Sequence, residues 1–228
     1  MAITSYPFDD QDTSETQYSR LFRELQDSGV VDSITGTGFQ VSADSSGMNV
    51  KVQPGYAIER GHAVSSTAVE PLTIGASTSA ARIDRVVLRL DPTANGINLA
   101  VLPGTPGAGV PSLTQTDTGL YEMALARVTV DANALTIAPD KVTDERPFAG
   151  QRVGSWRTST RPTSPRYGRL GINLDTGKWE FHNGSGWVDL IPATVDNSIR
   201  WGGFTVTVSK TTPSGTPTAD RIWIQPTS

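Results

Sequence analysis

The sequence predicts a mainly β protein built from two modules, and three observations carry that reading. Short apolar runs alternate with polar residues at period two along most of the chain, turn dipeptides punctuate these runs, and a single stretch has helical periodicity. The composition agrees, since the 228 residues include 22 Gly and 15 Pro alongside abundant Thr and Ser. The expected architecture is an N-terminal arm and helix over residues 1–35, an antiparallel β-sandwich over 36–148, a linker over 149–165 and a small Trp-rich β-module over 166–228.

The arm opens with Tyr6-Pro7-Phe8, followed by Asp9, Asp10 and Asp12. It reads as an extended segment whose aromatics dock on a neighbour while its acids stay in water; the glycine and distal glutamate of a calcium loop are missing. From Ser14 a helix is expected. Ser14 and Gln17 have capping-box spacing, Glu15 sits where the helix dipole favours an acid, and Gly29 marks the end. Tyr18, Leu21, Phe22 and Leu25 then fall at i, i+3, i+4 and i+7, on one stripe. A helix of about fourteen residues is marginal alone in water, so this stripe needs a partner surface. That surface is either its own sheet or identical helices around a symmetry axis.

Period-two patterning begins after Gly36, with Phe39, Val41 and Ala43, and then Met48, Val50 and Val52. Pro54-Gly55 is expected to form a type II turn with Gly at positive φ. Tyr56-Ala57-Ile58 and His62-Ala63-Val64 flank Glu59-Arg60-Gly61 as a hairpin, and Leu72-Thr73-Ile74 continues the meander. The longest strand is Arg82 to Asp91, stopped by Pro92. Val86, Leu88 and Leu90 point one way, while Ile83 and Val87 share the other face with Arg85 and Arg89, so both faces must be covered. Arg82 and Asp84 lie on one face and are placed to form an ion pair. Thr93-Ala94-Asn95-Gly96 turns the chain into Ile97, Leu99 and Val101. The Gly- and Pro-rich stretch 103–119 reads as a loop that is functional or held in an interface. Tyr121 to Val130 and Leu135 to Ile137 are expected to pair across Asp131-Ala132-Asn133, and Asp144-Glu145-Arg146-Pro147 closes the body.

In the last third, Leu170 to Leu174, Trp179 to Phe181 and Trp187 to Leu190 read as a three-stranded meander across Asp175-Thr176-Gly177 and Asn183 to Gly186. Such a sheet is barely stable alone and must gain burial from copies of itself or from the segment that follows. That segment carries Phe204 to Val208 and Arg221 to Ile224 as further strands.

Bulk numbers exclude several functions. With 19 Lys and Arg against 23 Asp and Glu, the chain lacks the clustered cations that nucleic acid or an anionic membrane requires. No apolar run reaches the roughly 18 residues of a membrane span, and the N-terminus does not look like a secretion signal. The absence of Cys removes disulfides, thiolate nucleophiles and Cys metal sites. His62 and His182 fall in different modules, and no nucleophile elbow or phosphate loop occurs. No catalytic, cofactor or metal residues are therefore assigned. All five Trp lie in the last third; most serve as core in so small a module, with Trp187 and Trp201 the candidates for an exposed, sugar-contacting surface.

Gly55 after Val50 to Pro54, then Gly61, Arg82-Ile83-Asp84-Arg85-Val86-Val87-Leu88-Arg89, the loop of Gly104 and Pro111-Ser112-Leu113, Leu125-Ala126-Arg127-Val128 and Asp144-Glu145-Arg146 together resemble the N-terminal module of bacteriophage minor tail and baseplate proteins, a class that includes upper baseplate proteins. Gly168-Arg169-Leu170, Asp175 to Trp179 and Gly184 to Trp187 are similar to small β-modules of phage tail and fibre proteins. The resemblance implies a structural virion protein of the tail tip that assembles, as a homotrimer and with other tail proteins. Tyr6, Phe8, Tyr18, Leu21, Phe22 and Leu25 would then serve attachment and oligomerisation, and the tip would contact host cell-wall glycan or another tail protein. A stand-alone carbohydrate-binding module is the alternative, and a polysaccharide-degrading enzyme a weaker one.

Overall fold

The computed structural model describes residues 5–150, 153–191, 200–201, 204–208 and 221–224, the last three stretches by their backbone. The chain divides into two compact units, Met1–Gln151 and Arg152–Ser228, and the fold is mainly β, as expected. The first unit holds helix α1 (Glu15–Leu25) and strands β1 (Gly29–Val30), β2 (Val41–Ser42), β3 (Asn49–Val52), β4 (Gly55–Glu59), β5 (His62–Ser66), β6 (Glu70–Thr73), β7 (Arg82–Asp91), β8 (Gly96–Leu102), β9 (Tyr121–Val130) and β10 (Val142–Asp144). They form three antiparallel sheets, in the orders β1-β4-β5, β2-β3-β6 and β10-β9-β7-β8.

One buried cluster draws on all three sheets, with Val30, Val50, Val52, Ala57, Val86, Leu88, Leu125 and Val128 among its members. Each Val or Leu buried there contributes roughly 1.5–3 kcal/mol relative to exposure. Strand β7 is central: it pairs with β8 and β9, and Val86, Val87 and Leu88 are all buried, so both of its faces are covered. The Arg82–Asp84 pair is present, with Nε to Oδ1 at 2.8 Å and Nη2 to Oδ2 at 3.0 Å. Asp84 is fully buried and also accepts the Gly104 N–H at 2.8 Å.

Three local expectations need correction. Gly55 is not at positive φ. The chain changes sheets at Pro54-Gly55, from β3 to β4, and an added Cβ on Gly55 would lie 2.5 Å from the Phe39 nitrogen; glycine is needed for close approach of two backbones. Leu135 to Ile137 is not the strand partner of β9. Its Ile137 instead exchanges backbone hydrogen bonds with the loop at Ser45 and Gly47, burying Ile137 and leaving Leu135 exposed, while β9 pairs with β7 and β10. Helix α1 stops at Leu25, with Gln26 extended. The Gln26 side chain donates to the Gly150 carbonyl at 3.0 Å, and Gly29 is recruited into pairing with Ile58.

The two ends of this unit meet. The Val30 N–H donates to Pro147 O at 2.8 Å, the Ala149 N–H donates to Val30 O at 2.9 Å, and Val30 and Phe148 form a parallel bridge. Nearby Arg146 is buried, bonded through Nη2 to Asp144 at 2.6 Å and through Nη1 to Gly38 O at 2.6 Å. Its guanidinium holds the Asp144 carboxyl below the usual carboxylate range.

The second unit contains β11 (Gly154–Trp156), β12 (Leu170–Asn173), β13 (Lys178–His182), β14 (Trp187–Asp189), β15 (Arg200–Trp201), β16 (Phe204–Val208) and β17 (Arg221–Ile224). The expected meander gains a fourth strand, because β11, inside the stretch expected as linker, pairs parallel with β12. A second sheet runs β15-β16-β17, with β16 and β17 parallel.

Candidate functional site

Of the six residues expected to serve attachment, Tyr18, Leu21, Phe22 and Leu25 lie on α1 and Tyr6 and Phe8 in the arm before it. Its capping box is complete: the Gln17 N–H donates to Ser14 Oγ at 3.3 Å, and the Ser14 N–H donates to the Gln17 side chain at 2.8 Å. The helix buries none of its residues. Tyr18 (47 % exposed), Leu21 (37 %), Phe22 (48 %) and Leu25 (64 %) present the apolar stripe to solvent, with the Tyr18 and Phe22 rings stacked 6.3 Å apart. In the arm, Phe8 is exposed and Tyr6 half-buried. The intramolecular alternative, a stripe sealed against its own sheet, is not what the first unit shows.

What holds the helix is polar. The β4–β5 hairpin turns through Arg60 and Gly61, both at positive φ, and Gly61 lies so close to the helix that an added Cβ would be 2.2 Å from Ser19 O. Asp117, from the 103–119 loop, binds Arg60 Nη2 at 2.6 Å and Arg23 Nη1 at 3.1 Å, and the Arg60 hydrogen bond, reinforced by Arg23, lowers its pKa. The loop is thus the clasp between helix and hairpin, beside a cleft of about 420 Å³. Asp117→Ala is expected to speed hydrogen exchange of the α1 amides several-fold while leaving β7 and β9 unchanged; equal exchange in both proteins would show that the clasp does not hold the helix.

In the second unit the aromatic residues divide. Trp156 is buried and donates from Nε1 to Glu180 at 2.5 Å; Glu180, also buried, accepts from Arg161 Nε at 2.8 Å and Nη2 at 2.6 Å. The Arg161 contact keeps the Glu180 carboxyl ionised at lower pH than usual. Trp187, a predicted surface candidate, is half-buried, 4.6 Å from the Trp156 ring and 5.5 Å from His182. The side chain of Trp201, the other candidate, lies outside the described residues, although its backbone is in β15. Trp179 and Tyr167 are exposed.

One group escaped the sequence reading. Glu59, at the end of β4, is fully buried and neither carboxyl oxygen has a hydrogen-bond partner. Burial, with the neighbouring Glu122 charge, pushes its pKa up to about 8. Glu122 itself is buried but satisfied, by Arg89 at 2.7 Å and by the Thr114 N–H at 2.7 Å. No feature of Tyr56 to His62 separates Glu59 from a solvated turn residue. Among the described residues no group of three or more His, Asp or Glu is arranged to hold a metal ion. Compared with protein-family models, with curated proteins and with solved structures, the chain matches none.

Proposed function

We propose that this chain is a structural subunit of a bacteriophage tail tip or baseplate, incorporated through its N-terminal arm and helix and acting by assembly without turnover. The observation that carries the proposal is the exposed stripe of Tyr18, Leu21, Phe22 and Leu25 on a helix that meets its body through the close approach of Gly61 and the ion pairs of Asp117. Four large apolar groups left in water forgo several kcal/mol that a neighbouring subunit would recover. The phage assignment itself rests on the ordered set of short motifs from Gly55 to Arg146. Sister copies, as a homotrimer, and other tail proteins are the proposed partners, with the second unit as a tip.

Light scattering at micromolar concentration tests the assembly. A mass of three times 24.3 kDa is expected, with Leu21→Lys plus Phe22→Lys returning the protein to one chain that still unfolds cooperatively, at a melting temperature no longer dependent on concentration. A clean monomer for the parent protein would refute self-assembly through this surface. The rival reading, a stand-alone carbohydrate-binding module, draws on the exposed Tyr167 and Trp179. It requires glycan-array binding by the monomer, lost on Trp187→Ala or Trp201→Ala if those positions form the site.

A further inference from the structure

In the four-stranded sheet of the second unit, the covered face mixes aromatic with charged groups. It carries Trp156 with Trp187 against it, and Glu180, which accepts hydrogen bonds from Trp156, Asn173 and Arg161, with Gly171 beneath the Trp156 ring. The register places Leu170, Phe181 and Val188 side by side, and Ile172 beside Trp179, on the opposite face. Leu190 follows at the same parity, its N–H donating to Trp179 O. Across β12, β13 and β14 that face is apolar, with Ser155 of β11 at one edge, and it is open: Trp179 is 44 % exposed, Val188 36 % and Leu190 49 %.

The next strands of the chain have the matching pattern. Trp201 pairs with Phe204, Val206 with Ile222 and Val208 with Ile224. These six positions therefore share one face of the β15-β16-β17 sheet, and all six are apolar. Arg200, Thr205, Thr207 and Arg221 occupy the other, with Trp223. We propose that these two apolar faces close on each other within one chain, making the second unit a two-layer sandwich whose core is formed by Trp179, Phe181 and Val188 against Phe204, Val206 and Ile222.

Magnitudes favour this occupant over a second copy. With Trp179, Val188 and Leu190 exposed and Leu170, Ile172 and Phe181 partly buried, the first face offers at most a few hundred Å², short of the roughly 800 Å² per partner typical of a stable interface between separate chains. Closure within the chain avoids the loss of translational freedom, and a short link gives an effective concentration in the millimolar range. Residues 191–199 form that link. Fully extended it reaches about 30 Å, well beyond the ~10 Å between packed sheets. The inference rests on the second unit alone and is independent of the phage assignment.

Because the chain has no Cys, introduced pairs are free of background. Val188→Cys with Val206→Cys, and Phe181→Cys with Ile222→Cys, are oxidised mildly in the full chain at nanomolar and micromolar concentrations. At least one pair is expected to bridge within the monomer at a rate independent of concentration. Bridges between chains, or no bridge from either pair, would overturn the proposal. Hydroxyl-radical labelling of the unmodified protein guards against misfolded variants: Trp179 should react several-fold more slowly than in Val206→Lys, at every concentration. Equal labelling, or protection that appears only as concentration rises, would overturn it as well.

Discussion

Glu59→Met is expected to stabilise the first unit at pH 8 by a few kcal/mol and to flatten its stability between about pH 4.5 and 8. The sign follows from proton binding. The folded protein keeps the Glu59 proton up to about pH 8, whereas the unfolded chain releases it near 4.5. Between those values the folded state holds a proton that the unfolded state has lost, so stability falls with rising pH, by about 1.4 kcal/mol per unit. The loss approaches 4 to 5 kcal/mol in all and is complete once pH passes the folded pKa. Methionine matches the length of the side chain and has no charge to desolvate. Glu59→Gln should flatten the profile equally but gain less, because a buried unpaired amide still costs about 1–3 kcal/mol. Urea melts at pH 5, 6.5 and 8 would decide the matter; a parent slope that survives in both variants would mean that Glu59 is not the titrating group.

Asp84→Ala is expected to cost about 3–5 kcal/mol, the usual penalty for leaving one member of a buried ion pair alone. Arg82 is 8 % exposed and Asp84 0 %, so water reaches neither readily. Removing Asp84 strands the Gly104 N–H as well as the guanidinium, although Arg82 keeps the Gly75 and Ala76 carbonyls at 2.7 and 2.9 Å. The double substitution Arg82→Met with Asp84→Leu should cost less than Asp84→Ala alone, since no charge is then buried. A denaturation cycle over the singles and the double measures this. Additive losses would show that the two side chains do not act as a pair.

What the sequence made legible was local. The Ser14–Gln17 capping box, the hairpin around Arg60-Gly61, the 82–91 strand with its Asn95-Gly96 turn and the Arg82–Asp84 pair all depend on residues a few positions apart, where periodicity and turn chemistry act directly. Pairings between distant segments were not legible. Strand β9 meets β7 across the 103–119 loop, β11 aligns in parallel with β12, and the two-residue β1 bridges to Phe148; no periodic signal in one segment names its partner in another. The apolar stripe on α1 was readable because four residues on one helix define it. Asp117 as its clasp was not, since a lone acid in a Gly-rich loop looks solvated until Arg23 and Arg60 are seen to converge on it. Glu59 fails for a related reason: three neighbours in sequence, Arg60, Gly61 and His62, suggest water, and only the assembled sheets enclose it.

The bridge between Val30 and Phe148 also has a mechanical meaning. The two segments run parallel, one leading in from the helix and the other leading out toward the second unit. Tension applied between those ends runs along the strands, so the bonds joining Val30 to Pro147 and Ala149 are strained in shear, together, and do not unzip one after another. Under such a pull the seam must break several hydrogen bonds at once before the β7–β9 centre is exposed to the load.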